Sequence, residues 1–309
     1  MGWSEADIPD LSGKTALVTG ANSGLGLRTA QALSRRGAHV VMACRSAERG
    51  RRALATIDGP AELLELDLAD LTSVRKAAAE VRERTGDRLD ILINNAGVMA
   101  VPPGRTVDGF ELQFGTNHLG HAALTWLLVP ALREVAGARV VTVSSLAHRG
   151  GGLDLDDLNF ERRPYRSITA YSQSKLANLL FAFELHRRVE AAGLDLVSVA
   201  AHPGLSATEL AANTTRNRVR GPLSRALTSV VSVGNRLVMQ SAARGALPQL
   251  YTATAPDVRG GEYYGPSGPG QVFGGPTRVS PRPNALNPDH GRTLWVRTAD
   301  LTGVSPDPA

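Results

Sequence analysis

Cysteine, aromatic side chains and long apolar runs are all scarce in this chain of 309 residues. The one cysteine, Cys44, excludes an internal disulfide bond and any zinc or iron–sulfur site built from several cysteines. No window reaches the roughly 18 consecutive apolar residues of a membrane-spanning helix. Residues 1–14 lack the apolar core of a signal peptide. We therefore expect a cytoplasmic protein with no metal site and no membrane span.

Positive charge is spread along the chain and is not gathered in one stripe. The 34 Lys and Arg residues only slightly outnumber the 29 Asp and Glu residues, for a formal net charge of +5. A nucleic-acid interface would need clustered basic residues with interleaved aromatic ones, whereas aromatic residues make up 5% of this sequence. The composition predicts no nucleic-acid partner, while 42% hydrophobic residues are enough for a sizeable core.

What the sequence does contain is a regular alternation of short apolar runs with longer amphipathic stretches. Strands are predicted at residues 15–19, 39–43, 62–66, 89–93, 138–143 and 195–200, and helices at residues 25–36, 47–57, 71–84, 110–133 and 170–192. Such alternation is typical of a parallel sheet with helices on both faces. We predict one α/β domain over residues 1–309, a doubly wound parallel sheet of the Rossmann type with a small C-terminal substrate cap.

That single domain is expected to have two halves. The cofactor half covers about residues 12–145, and the catalytic and substrate half covers about residues 146–309. The cap falls at about residues 206–245, where the strand–helix alternation loosens. Residues 256–288 are rich in proline and glycine, which predicts a terminal wrap and not a second domain.

A glycine-rich turn follows the first predicted strand and opens the first predicted helix. Its candidate binding residues are Gly20, Asn22, Ser23, Gly24, Leu25 and Gly26. Glycines let backbone N–H groups approach a pyrophosphate closely, and the helix N-terminus adds a partial positive charge. An ordinary tight turn is the alternative, but the position between a strand and a helix near the N-terminus favours a dinucleotide site.

The end of the second strand distinguishes between the two nicotinamide cofactors. NAD-binding folds usually place a carboxylate there, which binds the ribose 2′-hydroxyl. This sequence has Cys44 at that position, followed by Arg45. A guanidinium pairs well with a 2′-phosphate, so NADP(H) is the predicted cofactor. The alternative for Arg45 is a solvated arginine at the start of a helix.

Tyr171 and Lys175 stand four residues apart in the last long predicted helix, so their side chains share one face. A free phenol has a pKa of about 10, which is too high for efficient proton transfer at neutral pH. A lysine ammonium one turn away stabilises the phenolate and lowers that pKa. Tyrosine–lysine pairs at this spacing also arise on solvated helices, so the prediction depends on the motifs that precede it.

Taken in order, these motifs resemble the classical short-chain dehydrogenase/reductase family. The resemblance is carried by the spacing Gly-x-x-x-Gly-x-Gly, by Asn94-Asn95-Ala96-Gly97 after the fourth strand, by Ser144-Ser145 after the fifth strand and by Tyr171-x-x-x-Lys175. It implies an oxidoreductase that moves hydride between a nicotinamide ring and the carbonyl or alcohol carbon of a small molecule.

The same resemblance implies catalytic roles for four residues. Tyr171 would be the acid/base that transfers the proton, and Lys175 its electrostatic partner, which also bonds the nicotinamide ribose. Ser145 would donate a hydrogen bond to the substrate oxygen, with Ser144 as its nearest competitor. Asn117, in the helix after the fourth strand, would support a water-linked proton path to the lysine.

For the cofactor, the resemblance implies further contacts along the ends of the strands. The residues are Asp67 and Leu68 after the third strand, Asn95, Ala96 and Gly97 after the fourth, and Pro203, Gly204 and Thr208 after the sixth. Tyr171 and Lys175 also belong to the cofactor site. His202 is predicted to be a packed residue at a strand end and not a catalytic histidine.

Further segments resemble the retinol-dehydrogenase-like branch, which includes protochlorophyllide-reductase-like and WW-oxidoreductase-like proteins. They are residues 42–45, 66–69, 108–112, 119–121, 263–266, 294–295 and 301–303. The gap between Ser145 and Tyr171 is also long, as in that branch, and the inserted residues 149–166 are expected to flank the substrate cleft. The branch implies an apolar aldehyde, ketone or alcohol as substrate, and we expect a homodimer or homotetramer.

Several alternatives stay open. Residues 211–240 are interpreted as a mobile lid, as a surface that contacts a membrane, or as a packed helix with a solvated basic face. The same site could reduce a carbon–carbon double bond. A sensor that binds NADP without turnover is a further possibility, but such proteins typically lose the tyrosine or the lysine, and both are present here.

Overall fold

A single eight-stranded sheet forms the centre of the computed structural model, which describes residues 2–205 and 241–308. Its strands are β1 (Thr15–Thr19), β2 (His39–Cys44), β3 (Ala61–Glu65), β4 (Ile91–Asn94), β5 (Ala138–Val143), β6 (Leu196–Ala201), β7 (Tyr263–Pro266) and β8 (Pro276–Arg278). Their spatial order is β3-β2-β1-β4-β5-β6-β7-β8. β1 to β7 are parallel, and β8 pairs antiparallel with β7. The predicted α/β fold with a parallel sheet is confirmed.

Helices cover both faces of this sheet. They are α1 (Gly24–Arg35), α2 (Ala47–Leu54), α3 (Leu71–Thr85), α4 (Leu112–Phe114), α5 (Gly120–Arg133), α6 (Ser167–Ala191), α7 (Ala242–Thr254) and α8 (Pro288–Thr302). One apolar cluster packs α1, α2 and α7 against one face, and another packs α3, α5 and α6 against the other. In β1, Ala16 and Val18 belong to the first cluster and Leu17 to the second, because successive side chains of a strand point to opposite faces.

The strand order reverses between β1 and β4, which are neighbours in the sheet although β2 and β3 lie between them in the chain. In an open α/β sheet, the loops diverge at such a point and leave a crevice at the carboxyl ends of the strands. The glycine-rich turn follows β1, residues 94–97 lie at the end of β4, and residues 144–145 follow β5. The topology therefore brings three of the predicted motifs to one edge of the sheet.

Two predictions made from the sequence need correction. The sheet contains β7 and β8 in addition to the six predicted strands, and both lie within the proline- and glycine-rich residues 256–288. Pro266 ends β7 and Pro276 begins the edge strand β8, positions where a missing backbone N–H is tolerated. The helix predicted at residues 110–133 begins at Leu112 and is interrupted by a π-helical turn at Gly115–Leu119.

The C-terminal helix α8 covers the face formed by α5 and α6. Its Trp295 stacks on Phe181 of α6, with ring centroids 5.4 Å apart, and meets Trp126 of α5 edge-on at 4.8 Å. The guanidinium of Arg188 lies 4.8 Å from the Trp295 ring. Because buried aromatic rings contribute large apolar areas to a core, α8 is an integral part of the domain.

Most of the expected cap falls on residues 206–240, which lie outside the described residues. This range includes Thr208 and the stretch 211–240, so the predictions made for them also lie outside. Residues 242–245, the end of that cap, begin α7, which packs against α1 in the body of the domain. In the two described ranges, no helix combines the length and the apolar character needed to cross a membrane.

Candidate active site

The glycine-rich turn between β1 and α1 leaves no room for a side chain at Gly20 and Gly26. Gly20 has a φ of +68°, in the left-handed region. A Cβ atom on Gly26 would lie 2.4 Å from the carbonyl oxygen of Gly20 and 2.6 Å from Nδ2 of Asn95. Both positions therefore need glycine. The turn can therefore pack closely against the loop after β4, and the N-terminus of α1, which begins at Gly24, borders the cleft.

Asn95 ties this turn to the loop after β4. Its Nδ2 donates to the carbonyl oxygen of Thr19 at 2.7 Å, and its backbone N–H donates to the Thr19 hydroxyl at 2.9 Å. Gln249 of α7 donates to Oδ1 of Asn95 and to the hydroxyl of Thr29 in α1. These bonds fix the distance between the two loops on either side of the crevice.

Cys44 and Arg45, at the end of β2, have opposite environments. Burial raises the pKa of the Cys44 thiol to about 11, so it stays protonated at neutral pH. Arg45 is exposed, lines the cleft and forms no ion pair with any residue that the structure describes. Arg49, one turn along α2, lines the same cleft. Two guanidinium groups are thus available to an anion.

Tyr171 and Lys175 lie in the first half of α6, with 5% and 4% of their surfaces exposed. Nζ of Lys175 donates to the carbonyl oxygen of Val143, the last residue of β5, at 3.0 Å. It lies 5.8 Å from the centre of the Tyr171 ring. A buried ammonium this close stabilises the phenolate form of a tyrosine. Both side chains line the cleft.

The two serines after β5 use their hydroxyl groups differently. Oγ of Ser144 donates to the carbonyl oxygen of Lys175 at 2.8 Å, so its hydrogen is engaged. Oγ of Ser145 accepts the N–H of Ala147 at 3.2 Å, and its hydrogen has no acceptor in the part of the chain that the structure describes. The hydrogen bonds therefore favour Ser145 as a donor to a ligand, although Ser144 is the one that lines the cleft.

Asn117 lies in the π turn and is clamped to the loop after β4. Its Oδ1 accepts the N–H of Val98 at 2.8 Å, and its Nδ2 donates to the Val98 carbonyl oxygen and to Oγ of Ser174, both at 2.9 Å. A Cβ atom on Gly97 would lie 3.2 Å from Oδ1 of Asn117 and 3.6 Å from Nζ of Lys175. Gly97 thus lets the asparagine and the lysine approach the same loop.

These groups surround a cleft of about 950 Å³, a size within the range of ligand pockets. Of the residues predicted from the sequence, the cleft is lined by Gly20, Asn22, Ser23, Gly24, Leu25, Gly26, Arg45, Asp67, Leu68, Asn95, Ala96, Gly97, Tyr171, Lys175 and Pro203. Asn117, Ser145 and Gly204 are buried and do not line it. Thr208 lies outside the described residues.

The cleft has two unlike walls. The glycine wall consists of residues 19, 20, 22–26 and 95–97, and the loop wall consists of residues 98–103, after β4, and 165, 167 and 168, around the start of α6. Sequence motifs predict every residue of the glycine wall except Thr19. They miss nearly all of the loop wall, because only the expectation that residues 149–166 flank a substrate cleft points to it. They also miss Arg49, whose one signal is its position a helical turn after Arg45.

Tyr165 fastens the loop wall. Its hydroxyl donates to the carbonyl oxygen of Val101 at 2.9 Å and accepts Nε2 of Gln113 at 2.8 Å. The inserted segment before it folds around the buried carboxylate of Asp157, which accepts the backbone N–H groups of residues 161–163. Side-chain hydrogen bonds between distant segments therefore hold this wall.

His202, at the end of β6, is fully buried, as the sequence predicts for a packed strand-end residue. Burial lowers its pKa to about 3, so the imidazole is neutral. Its Nδ1 accepts the N–H of Gly204 at 3.2 Å, and its Nε2 lies 3.2 Å from Oε1 of Gln271. The ring supports the turn that places Pro203 at the cleft. Within residues 2–205 and 241–308, no group of three His, Cys, Asp or Glu side chains could hold a metal ion.

Residues 14–219 match the family model of the short chain dehydrogenases. Human retinol dehydrogenase 13 is 41% identical over 306 residues, which cover 97% of this chain and 87% of that protein. Mouse polyprenol dehydrogenase is 38% identical over 306 residues, which cover 96% and 86%. The chain therefore belongs to the short-chain dehydrogenase family of oxidoreductases, in its classical form and its retinol-dehydrogenase-like branch.

Solved structures share this fold. An uncharacterized protein from Mycobacterium paratuberculosis has a TM-score of 0.83 and 44% identity, and the match covers 99% of both chains. A short chain dehydrogenase from Burkholderia cenocepacia, solved in complex with NADP, has a TM-score of 0.57 and 26% identity over 79% of this chain and 92% of that chain. The family and the fold were both predicted from the sequence and are confirmed.

Proposed function

We propose that this chain is an NADP(H)-dependent oxidoreductase that transfers hydride between the nicotinamide ring and the carbonyl or alcohol carbon of an apolar aldehyde, ketone or alcohol. The observation that carries the proposal is the buried Tyr171–Lys175 pair, which lines the same cleft as the glycine wall. Relatives named retinol dehydrogenase and polyprenol dehydrogenase support an alcohol or its carbonyl as the reacting group.

The residues of the glycine wall fit a dinucleotide. Gly26, where an added Cβ atom would lie 2.4 Å from the Gly20 carbonyl oxygen, allows the close helix–strand packing expected of a dinucleotide-binding turn. Arg45 and Arg49 would bind the 2′-phosphate, which favours NADP(H) over NAD(H). Asp67 and Leu68 would contact the adenine.

The remaining cofactor contacts lie nearer the reacting end. Residues 95–97 would line the adenosine side of the cleft. The turn at Pro203 and Gly204, with Thr208 beyond it, would contact the nicotinamide carboxamide.

The side chains of this site would handle the proton and the developing charge. NADPH, when bound, supplies the hydride to the carbonyl carbon. Tyr171 and Ser145 donate hydrogen bonds to the oxygen as it gains negative charge, and Tyr171 then gives up its proton. Lys175 stabilises the phenolate that remains, and Asn117 supports the path by which the proton is replaced. Alcohol oxidation is the reverse of these steps.

The loop wall favours an apolar substrate. Its lining residues are Val98, Met99, Ala100, Val101, Pro102, Pro103, Tyr165, Ser167 and Ile168, and none of them carries a charge. Ile168, which is 59% exposed, adds an accessible aliphatic side chain to this wall. Pockets lined in this way bind through apolar contact and leave orientation to a few polar groups.

The test is a turnover screen of NADPH and NADH against aldehydes, ketones, quinones and activated alkenes, with product analysis. A Tyr171→Phe variant is the matched control, since it removes one hydroxyl and leaves the ring. We expect NADPH-dependent carbonyl reduction, with turnover at least about 10²-fold lower in the variant and NADPH binding unchanged. Reduced alkene products would support double-bond reduction. If no substrate exceeds the variant's rate, a non-catalytic NADP sensor would be supported.

A further inference from the structure

His121 occupies a buried position between the two loops that form the candidate active site, and no motif assigns it a role. It lies in the first turn of α5, with 2% of its surface exposed. Its Nδ1 lies 2.9 Å from the backbone carbonyl oxygen of Asn117, and its Nε2 lies 2.9 Å from the hydroxyl oxygen of Thr19. The ring therefore joins the end of β1 to the π turn.

The π turn presents the Asn117 carbonyl to this ring. In an α-helix each backbone N–H donates to the carbonyl four residues earlier, but here the N–H of Gly120 donates to Gly115, five residues earlier. Such a turn interrupts the regular ladder and is frequent at functional sites. A carbonyl oxygen has two lone pairs, so that of Asn117 can accept the His121 side chain.

The partners of His121 determine which nitrogen carries the hydrogen. A carbonyl oxygen only accepts hydrogen bonds, so Nδ1 must be the protonated nitrogen. Burial lowers the pKa of His121 to about 4, and the nearby Lys175 acts in the same direction, so the ring is neutral at physiological pH. Nε2 then has no hydrogen and accepts one from the Thr19 hydroxyl.

The Thr19 hydroxyl is fully used in this arrangement. Its one hydrogen points to Nε2 of His121 at 2.9 Å, and not to the carbonyl oxygen of Ile93 at 3.3 Å. Its oxygen accepts the backbone N–H groups of Asn95 at 2.9 Å and Ala96 at 3.0 Å. A directed chain of hydrogen bonds thus runs from the loop after β4 through Thr19 and His121 to the π turn.

We propose that His121 is a positioning residue that holds Thr19, Asn95 and Ala96 of the glycine wall at a fixed distance from the Asn117 backbone. This inference rests on the proposed function, in which the glycine wall binds NADP(H) and Asn117 supports proton transfer. The bond to Thr19 therefore acts on cofactor binding, and the bond to Asn117 acts on turnover. The two bonds can be removed separately.

Two substitutions test this division. In His121→Asn, the amide nitrogen takes the place of Nδ1, so the bond to Asn117 is kept and the bond to Thr19 is lost. In His121→Gln, an oxygen takes the place of Nε2, so the bond to Thr19 is kept and the bond to Asn117 is lost. We expect His121→Asn to raise KM for NADPH and His121→Gln to lower kcat, each by about threefold to tenfold, with little change in the other constant.

His118 provides the matched control, because it is a buried histidine of the same segment with its Nε2 2.9 Å from the Thr298 hydroxyl of α8. His118→Gln should lower stability without a separate change in KM for NADPH or in kcat. Thr19→Val removes the bond to His121 and also the two that Thr19 accepts from Asn95 and Ala96, so it should raise KM for NADPH by more than His121→Asn does. If both His121 variants change kcat and KM in parallel with their loss of stability, a purely structural role replaces the positioning role.

A second measurement is independent of turnover. Nitrogen NMR of the histidine-labelled protein, assigned by comparison with His121→Asn, should show Nδ1 protonated and Nε2 unprotonated from about pH 8 to pH 6. Protonated Nε2, or titration of the ring in that range, would overturn the inference. Because this readout and NADPH binding need no substrate, absence of turnover in the wild-type protein would contradict the proposed function and still leave His121 tested.

Discussion

The two walls of the cleft are built in different ways. The glycine wall is backbone packed on backbone, with no space for a Cβ atom at Gly26. The loop wall joins two segments through Tyr165, whose hydroxyl reaches Val101 across 64 positions of the chain, and it leaves Ile168 more than half exposed. At Gly20 and Gly26 the first wall requires the absence of a side chain, whereas the second depends on the side chain of Tyr165.

This difference determines where side chains can be substituted without disturbing the fold. A side chain added to the glycine wall collides with main-chain atoms, which cannot move without displacing β1 or α1. A side chain changed in the loop wall alters the shape and polarity of one part of the cleft and leaves the sheet intact. We infer that cofactor binding resides in the first wall and substrate preference in the second.

Acid should lower the free energy of unfolding, and this is the largest effect expected. Burial lowers the pKa of His118 and His202 to about 3 and of His121 to about 4, and it also lowers that of His148. Unfolding lets these rings take up protons near pH 6.5, so their contribution to stability is complete above that pH and is lost progressively below it. Below that pH, each ring lowers the free energy of unfolding by up to about 1.4 kcal/mol per pH unit.

The measurement is the midpoint of urea unfolding at several values from about pH 7.5 to pH 5. The midpoint should fall steadily over this range. His118→Gln, which removes one of these buried rings, is the comparison and should make the fall shallower. A midpoint that stays constant or rises on acidification would contradict the neutral state of the buried rings.

Gly26→Ala tests the close packing of the glycine wall. The added Cβ atom meets the Gly20 carbonyl oxygen at 2.4 Å, so we expect a loss of about 1–3 kcal/mol in the free energy of unfolding and weaker NADPH binding. Gly152→Ala is the matched control, because an added Cβ atom there has open space. Urea unfolding and a fluorescence titration with NADPH measure both effects. Equal behaviour of the two variants would mean that the glycine wall tolerates side chains.

Arg45→Asp tests whether the residue after β2 selects the phosphorylated cofactor. Losing a charge-assisted bond and adding a carboxylate should weaken NADPH binding by about 10- to 100-fold and leave NADH binding unchanged or improved. Arg51→Asp makes the same change of net charge at an exposed residue of α2 that does not line the cleft. Calorimetric titration of both cofactors decides the question, and equal losses for NADPH and NADH would remove the 2′-phosphate role of Arg45.

Asp157→Asn, with the smallest expected effect, tests the independence of the loop wall. Burial raises the pKa of this carboxyl, but the backbone N–H groups of residues 161–163 and the Arg163 guanidinium lower it by more, so the group is a carboxylate at neutral pH. Removing the charge should cost about 1 kcal/mol and raise KM for a carbonyl substrate severalfold, with KM for NADPH unchanged. Asp156→Asn, on an exposed neighbour, should change neither constant. A parallel rise in KM for NADPH would show that the walls are coupled.

Sequence alone was sufficient for features formed within one element. The glycine-rich turn follows β1 directly, and Tyr171 and Lys175 share a face because they lie one turn apart on α6. The apolar strand runs are readable because parallel strands are buried on both faces. Arg45 could be singled out because the end of β2 is a known position in the fold, although Arg49 was missed.

Other features depended on contacts that no local pattern reveals. Gln249 reaches Asn95 across 154 positions of the chain, and Tyr165 reaches Val101 across 64. The π turn at Gly115–Leu119 could not be distinguished from an ordinary helix by its apolar periodicity. β7 pairs with the edge of β6 and β8 with the edge of β7, and this pairing overrides the weak strand propensity of Gly265, Pro266 and Pro276.

The sequence by itself determined the fold class, the family, the glycine wall and the Tyr171–Lys175 pair, because each follows from backbone conformation and residue spacing over a few positions. Only the tertiary structure decided which serine has its hydroxyl hydrogen engaged, which nitrogen of His121 carries the hydrogen and which side chains form the loop wall. These depend on the direction of hydrogen bonds and on burial, and both are set by groups that come from distant parts of the chain.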